Sequence, residues 1–122
     1  MVEGIKNGGK NQMKYHNIKA VYGGQTYDSR KEMRRAAALD LLQKFGAISG
    51  LEKQRSFVLQ DGYTTKDGRK IRPICYVADF VYHDNERGVD VVEDVKGVRT
   101  DVYKIKRKMF EFRYPEYEFV ES

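Results

Sequence analysis

Cysteine, histidine and long apolar runs are scarce in this chain of 122 residues, and each scarcity excludes a class of protein. The single cysteine, Cys75, excludes an internal disulfide and a cysteine-rich zinc site, and it suits a reducing compartment. The two histidines, His16 and His83, lie far apart in sequence and give little support to a histidine-based zinc site. No apolar run approaches the roughly 18 residues of a membrane span, and the N-terminus has no apolar signal-peptide core. We therefore expect a cytoplasmic protein without a membrane partner.

Charge is abundant and unevenly distributed along the chain. Lys and Arg number 23 against 18 acids, so the net charge is +5, which points weakly to a polyanionic partner. Between residues 79 and 101, seven acids outnumber three bases and give a net charge of −4, which leaves +9 for the rest of the chain. An acidic centre in a basic surround suits a cation held against a nucleic-acid backbone. Ordinary charge scatter is the competing interpretation.

The pattern of glycines and lysines predicts a flexible basic N-terminal arm over residues 1–20 and a single domain over residues 21–122. The arm carries Gly4, Gly8 and Gly9 and shows neither helical nor strand periodicity. It is either a frayed terminus or a contact for phosphates.

Periodicity and turn residues predict an α+β (α/β) fold in the order helix, three strands, helix, strand around a mixed sheet. A hairpin precedes the first helix and turns at Gly23-Gly24. Ser29 and Glu32 form a capping-box pattern that opens the first helix, and Gly46 ends it. Thr100 caps the second helix, which Pro115 stops. The strands are expected at about residues 51–60, 71–83, 89–96 and 117–120.

Asp79 stands out because it occupies a strand position between apolar neighbours. Strict alternation places it on one face of the second strand with Cys75, Val77 and Val81, and places Tyr76, Ala78 and Phe80 on the other. A desolvated carboxylate without a partner costs on the order of several kcal/mol. Asp79 therefore requires a metal, a basic partner or a hydrogen-bond network.

A four-residue hairpin loop at residues 85–88 places Asp79 directly opposite Asp94, because paired positions then sum to 173. Facing side chains project from the same side with Cβ atoms roughly 5 Å apart. Lys96 lies two residues beyond Asp94 and is expected on that side as well. A register slip of one residue would bring Glu93 to this face instead, so Glu93 is the alternative ligand.

Two carboxylates and a lysine in this arrangement suit a magnesium site for hydrolysis of a phosphodiester. Hard oxygen ligands hold Mg²⁺, which polarises a phosphate and lowers the pKa of an attacking water. A lysine beside the ion can orient that water or stabilise the charge that builds on the phosphate. The competing interpretation is a surface hairpin with incidental salt bridges.

The motif of Asp79 followed by Asp94-Val95-Lys96 resembles the signature of the restriction-endonuclease-like PD-(D/E)xK nuclease superfamily, and the predicted element order resembles its common core. The resemblance covers residues from about 26 to 121. The segments 77–80, 92–97 and 100–104 further resemble a family of small phage-encoded proteins akin to phage junction-resolving endonucleases. Ala78 stands where the superfamily often has proline, which makes the motif less distinctive.

The resemblance implies roles for particular residues of this chain. Asp79, Asp94 and the backbone carbonyl of Val95 would bind Mg²⁺, with Mn²⁺ as a substitute, and Lys96 would serve the nucleophile. Glu32 matches an acid that such nucleases often add from their first helix, and it is either a fourth ligand or only part of the helix cap. Gln54 either helps to shape the site or faces solvent.

Basic residues on the two predicted helices are candidates for DNA contact, although such residues also coat helices that bind nothing. The candidates are Arg34, Arg35, Arg99, Lys104, Lys106, Arg107 and Lys108. Phosphate contacts give affinity without sequence specificity, and no zinc finger or helix-turn-helix reader is evident. This pattern favours recognition of DNA shape, as at a branch.

The sequence thus predicts a phage-type, magnesium-dependent DNA endonuclease, a hydrolase that acts on branched DNA such as a Holliday junction during DNA recombination. If phage-encoded, it would work in the bacterial cytoplasm. Symmetric cutting of two strands implies a homodimer. The alternatives are a non-catalytic nucleic-acid-binding module and a phage structural or interaction protein.

Overall fold

The computed structural model describes residues 19–122. The chain divides into two units, Met1–Ala37 and Ala38–Ser122. The predicted basic arm, residues 1–20, lies outside the described residues except for its last two positions.

The described part of the first unit contains a hairpin and the start of a helix. Strand β1 (Ala20–Tyr22) pairs antiparallel with β2 (Gln25–Tyr27), and the connecting glycines take positive φ angles of 60° and 78°. Two consecutive left-handed residues are the requirement of a type I′ turn, which explains Gly23-Gly24. Ser29 Oγ then accepts a hydrogen bond from the N–H of Glu32 at 3.1 Å. The predicted hairpin and helix cap are both confirmed.

Helix α1 (Arg30–Lys44) ends in a Schellman motif, within the second unit. The N–H of Ala47 donates to the carbonyl of Leu42, and the N–H of Gly46 donates to the carbonyl of Gln43. Gly46 has a φ of 83°, which a residue with a Cβ rarely adopts. The predicted helix stop at Gly46 is confirmed.

The second unit is built on a four-stranded mixed sheet in the order β3-β6-β7-β8. Its strands are β3 (Ile48–Gln60), β6 (Ile74–Asp84), β7 (Val89–Asp94) and β8 (Tyr117–Glu121). The polar connection between β3 and β6 forms a small hairpin of β4 (Tyr63–Thr64) and β5 (Lys70–Ile71). The predicted α+β class and mixed sheet are therefore confirmed.

Strands β6 and β7 form the hairpin that the sequence predicts. Residues 85–88 make a tight turn, in which the N–H of Gly88 donates to the carbonyl of Asp84 at 2.8 Å. Paired positions sum to 173 along the ladder, from Asp84 opposite Val89 to Phe80 opposite Glu93. The predicted register is confirmed for these pairs, and it excludes the one-residue slip that would exchange Glu93 for Asp94. The predicted pairing of Asp79 with Asp94 does not form, because the ladder stops at Phe80 and Glu93.

The expected strict alternation of faces along β6 is wrong at one point. Tyr76, Ala78 and Val81 all belong to one buried cluster, although alternation would place Val81 on the opposite face from the other two. The alternation therefore breaks between Ala78 and Val81, where Asp79 lies. Strand β7 also ends at Asp94, so Lys96 lies beyond the strand that was predicted to include it.

The chain crosses from β7 to β8 through helix α2 (Asp101–Arg113), and the two strands are parallel. Thr100 caps α2 as predicted, since its side chain accepts from the N–H of Tyr103 at 3.1 Å. The helix packs Tyr103 and Phe110 into the buried cluster. The other buried members are Phe57, Leu59, Tyr76, Ala78, Val81 and Val92.

Val102, Ile105, Met109 and Phe112 recur at helical spacing along α2, but they do not enter the buried cluster as a group. Val102, Ile105 and Phe112 are 62%, 59% and 89% exposed, whereas Met109 packs partly against the cluster. The helix is anchored mainly through its two buried aromatic residues. Among residues 19–122, no helix has the length and apolar character needed to cross a membrane.

Candidate functional site

Asp94, the last residue of β7, is a buried carboxylate with two defined partners. Its side chain is 4% exposed. The hydroxyl of Tyr76, on the neighbouring strand, donates to Asp94 Oδ2 at 2.7 Å, and Lys96 Nζ lies 3.2 Å from Oδ1. The hydrogen bond and the ion pair offset much of the cost of burying the charge. Asp94 and Lys96 therefore meet, as the sequence predicts, although Lys96 lies beyond the end of β7.

Asp79 approaches the same end of β7. The ladder pairs stop at Phe80 opposite Glu93, and Asp79 Oδ2 instead accepts a hydrogen bond from the N–H of Val95 at 2.8 Å. Asp79 Oδ1 accepts from the side-chain amide of Gln54 at 3.3 Å. The half-buried Asp79 carboxylate is thus fixed beside the backbone that directly follows Asp94.

The charges of both carboxylates affect the pKa of the Tyr76 hydroxyl. Burial, the hydrogen bond to Asp94, and the negative charges of Asp94 and Asp79 raise the pKa of its hydroxyl well above the usual 10.0. Tyr76 therefore stays protonated at any physiological pH and remains a hydrogen-bond donor to Asp94.

Gln54 is the one non-glycine residue of the described chain with a positive φ, at 57°. Lys53 pairs with Phe80 and Arg55 with Ala78, but Gln54 and Asp79 between them form no ladder pair. A left-handed conformation costs an ordinary residue roughly 1–2 kcal/mol, and such strain is concentrated at functional sites. Here the strained residue is exposed to solvent and also directs its side-chain amide at Asp79, so it contacts the site as one of the two alternatives predicted.

Lys96 has a second contact besides Asp94. Its Nζ lies 4.1 Å from the centroid of the Tyr103 ring, on the first turns of α2. The hydroxyl of Tyr103 in turn donates to Glu121 Oε2 at 2.6 Å. A chain of contacts therefore connects Asp94 on β7 through α2 to the end of β8.

Two arginines hold Glu121 as a carboxylate. Arg99 Nη2 lies 2.6 Å from Glu121 Oε1, and Arg107 Nη1 lies 3.0 Å from Oε2. The hydrogen bonds from Arg99 and Tyr103 lower the pKa of Glu121 to about 2. Burial and the hydrogen bond to Glu121 raise the pKa of Tyr103, so its hydroxyl also stays protonated.

A pocket of about 350 Å³ opens along α2 beside this cluster. It is lined by Arg99, Tyr103, Lys104, Arg107, Lys108, Glu111 and Glu121. Four of the predicted DNA-binding residues are therefore brought together, and four cations face two acids. Lys106 is half-buried and is not among the lining residues. Arg107 also pairs with Glu111 at 3.4 Å, so part of the positive charge is already compensated.

The alternative ligand Glu93 has a separate environment. It is fully buried opposite Phe80, and its carboxylate accepts hydrogen bonds of 2.7 Å from the hydroxyls of Tyr82 and Ser122. Adjacent strand residues point to opposite faces, so Glu93 and Asp94 do not share a side of the sheet. The structure brings Asp94, not Glu93, to Lys96.

Three predicted site residues belong to the first unit. Glu32 is buried, and its N–H completes the helix cap described above. Arg34 is exposed and Arg35 is half-buried on α1. The metal-binding role of Glu32 and the DNA contacts of the two arginines stay predictions.

The carboxylate oxygens at the end of β7 suit a single hard cation that takes only a few of its ligands from the protein. Among residues 19–122, no group of three or more acidic, histidine or cysteine side chains is placed to hold a metal. Magnesium, however, is commonly bound through one or two carboxylates and keeps several waters. Asp79 and Asp94 supply two carboxylates at the end of β7, which is the number that this mode uses.

Sequence reasoning missed Tyr76, Tyr103 and Glu121 as parts of this site. Tyr76 was placed on the face opposite Asp79, and the break in alternation brings it to Asp94. Tyr103 lies among the cations of α2 in the sequence, and no local pattern indicates its contact with Lys96. Glu121 lies at the end of β8, which is parallel to β7. The sequence does not indicate this position, because it depends on the pairing of β7 with β8.

Comparison with known proteins identifies a family. No match was found among the curated proteins or the solved structures. A family model matches residues 12–121, which is nearly the whole chain. The chain therefore belongs to the family described as "Protein of unknown function (DUF1064)".

Proposed function

We propose that this protein is a magnesium-dependent DNA endonuclease of the restriction-endonuclease-like PD-(D/E)xK superfamily, of a phage type that acts on branched DNA. The observation that carries the proposal is the gathering of Asp79, Asp94 and Lys96 at one end of the β6–β7 pair. Two carboxylates and an ammonium group in this relation suit phosphodiester hydrolysis.

Asp79, Asp94 and the Val95 carbonyl would hold the ion, and Lys96 would act beside it. A bound Mg²⁺ supplies charge neutralisation on the phosphate and a lower pKa for water. The ammonium of Lys96, already next to Asp94 Oδ1, orients the attacking water or stabilises the negative charge that develops on the phosphate oxygens. Tyr76 fixes the Asp94 carboxylate through its hydroxyl, as partners of metal ligands generally do.

The pocket along α2 supports DNA as the substrate. Lys104 and Lys108 are exposed and one helical turn apart, and neither forms an ion pair with another described residue. These two lysines present positive charge to a phosphate backbone, which gives salt-dependent and sequence-independent affinity. Cutting both strands of a junction symmetrically requires two active sites, so the proposal includes a homodimer.

Cleavage assays on defined DNA test the proposal directly. Labelled four-way junction, nicked duplex and single-stranded DNA are incubated with the protein, with and without Mg²⁺. We expect cleavage of the junction that requires the ion, and we expect Asp79→Asn and Asp94→Asn to abolish it. Asp90→Asn, an exposed acid on the same strand β7, is the matched control and should cleave normally.

A lysine pair gives a second comparison. Lys96→Gln is expected to lower cleavage strongly, whereas Lys66→Gln, at an exposed position in the β4–β5 connection, should not. Failure of the wild-type protein to cut any of the substrates would refute the nuclease proposal, as would full activity in Asp94→Asn. Salt-dependent retention of DNA without cleavage would favour the non-catalytic binding module.

A further inference from the structure

We propose that Tyr103 is a positioning residue for Lys96, and that Glu121 with its two arginines fixes the orientation of the tyrosine ring. This inference rests on the proposed function, since it assigns Lys96 a part in the reaction. The sequence motif confines the site to β6, β7 and the two residues that follow β7. The inference adds a residue of α2 to that site.

Lys96 needs a second anchor besides Asp94. The lysine side chain has four rotatable carbon–carbon bonds and loses about 2 kcal/mol of rotamer entropy when it is held in one place. Its partner Asp94 is also the proposed ligand of a metal ion. A carboxylate that binds a cation holds a neighbouring ammonium group less strongly, because both compete for the same negative charge.

The Tyr103 ring meets this need because an aromatic face attracts a cation without offering an oxygen that a metal would take. Lys96 Nζ lies 4.1 Å from the ring centroid, well within the roughly 6 Å range of a cation–π contact. Tyr103 is 8% exposed and the Lys96 side chain is 26% exposed, so the contact is partly shielded from water. Cation–π contacts are stronger when they are desolvated.

The Tyr103 ring is itself held in place by contacts at its hydroxyl and at its side. The Tyr103 hydroxyl donates to Glu121 Oε2 at 2.6 Å, and Arg99 and Arg107 hold the same carboxylate. The Tyr103 ring also packs against Phe119 at a centroid distance of 6.4 Å. Because the ring packs against Phe119 and its hydroxyl is held by Glu121, it presents one face to Lys96.

The experiment combines a spectroscopic readout with kinetics on three variants. Tyr103→Leu removes the ring, Tyr103→Phe removes only the hydrogen bond to Glu121, and Tyr117→Leu removes a core aromatic ring at another position as the control. If Tyr103→Leu does not fold, Tyr103→Met replaces it, because the flexible, unbranched methionine side chain fills irregular gaps.

The nuclear magnetic resonance readout needs no metal and no DNA. A methylene group above an aromatic face is shifted upfield by the ring current. We therefore expect the ε-methylene protons of Lys96 to lie upfield of those of the exposed Lys66 in the wild type, in Tyr103→Phe and in Tyr117→Leu. In Tyr103→Leu this shift is expected to be lost. A Lys96 signal without an upfield shift in the wild type, or one retained in Tyr103→Leu, would overturn the inference.

The kinetic readout separates positioning from DNA binding. Loss of a cation–π contact should lower kcat by about 3- to 30-fold in Tyr103→Leu, with KM for the junction DNA changed less than about twofold. Tyr103→Phe should retain most of kcat because it retains the ring. An unchanged kcat in Tyr103→Leu overturns the inference even if the resonance moves.

The two proposals fail in different ways. Absence of cleavage by the wild-type protein refutes the nuclease proposal, and the Lys96 resonances alone then decide whether Tyr103 holds the lysine. Cleavage by the wild type together with wild-type behaviour of Tyr103→Leu refutes only the positioning role.

Discussion

The Tyr76 hydroxyl donates a hydrogen bond to Asp94 Oδ2 at 2.7 Å, across the neighbouring strands β6 and β7. Because the pKa of Tyr76 is raised, this donor persists over the whole physiological pH range. Tyr76→Phe keeps the ring in the core and removes only the hydroxyl. Hydrogen bonds to charged groups contribute about 1.5–3 kcal/mol, so we expect the free energy of unfolding to fall by that amount in urea titrations.

The same substitution should also weaken the proposed metal site. Loss of a hydrogen bond to a metal ligand commonly lowers metal affinity by about 10- to 100-fold. Titration of the protein with Mn²⁺ by calorimetry measures this effect. Tyr82→Phe is the matched control, since it removes an equally short hydrogen bond to Glu93. Equal loss of metal affinity in both variants would contradict the assignment of Asp94 as the ligand.

Two phenylalanines on α2 should differ sharply in their contribution to stability. Phe110 is fully buried between several aromatic rings, whereas Phe112 is 89% exposed. Phe110→Ala is therefore expected to lower the free energy of unfolding by about 3–5 kcal/mol. Phe112→Ala should change it by less than about 0.5 kcal/mol. Similar losses in the two variants would show that the outer face of α2 is covered in solution.

The strained backbone at Gln54 gives a prediction that separates strain from side-chain contact. Gln54→Gly and Gln54→Ala both remove the hydrogen bond to Asp79, but only glycine adopts a φ of 57° without cost. We expect the glycine variant to be more stable than the alanine variant by roughly 1 kcal/mol. Urea denaturation of both variants measures the difference in the free energy of unfolding. A more stable alanine variant would refute the inference that the backbone at Gln54 is strained.

Glu121 should make stability depend on pH in the acid range. Its folded-state pKa is lowered to about 2 from a usual 4.5, so the carboxylate stabilises the fold above pH 4.5 and progressively loses this effect as the pH falls toward 2. Glu121→Gln should be less stable than the wild type near neutral pH, and the difference should shrink toward pH 2. Glu116→Gln, at an exposed position, should show no such convergence.

Much of the fold follows from local signals in the sequence. Ser29, Gly46 and Thr100 mark helix ends because their side chains or backbone angles satisfy the terminal hydrogen bonds. The four-residue loop at 85–88 fixes the register of β6 against β7, and with it the approach of Asp79 to the end of β7. These features depend on residues close together in the chain.

The features that the sequence did not predict depend on contacts between distant segments. The break in alternation near Asp79 accompanies an irregularity opposite it, at Gln54 on β3. The link from Lys96 to Glu121 requires the parallel pairing of β7 with β8 after the α2 crossover. No local periodicity encodes either arrangement, since each arises when two remote strands are brought side by side.

The position of β6 and β7 inside the sheet has a consequence for how the molecule opens. Both strands have hydrogen-bonded neighbours on each side, whereas β3 and β8 form the two rims. Amide protons of interior strands exchange with solvent only through large-scale opening, while rim strands fray at lower free energy. Asp79 and Asp94 thus lie on the strands whose amide protons are expected to exchange last. The backbone around these acids should stay hydrogen-bonded when β3 or β8 frays.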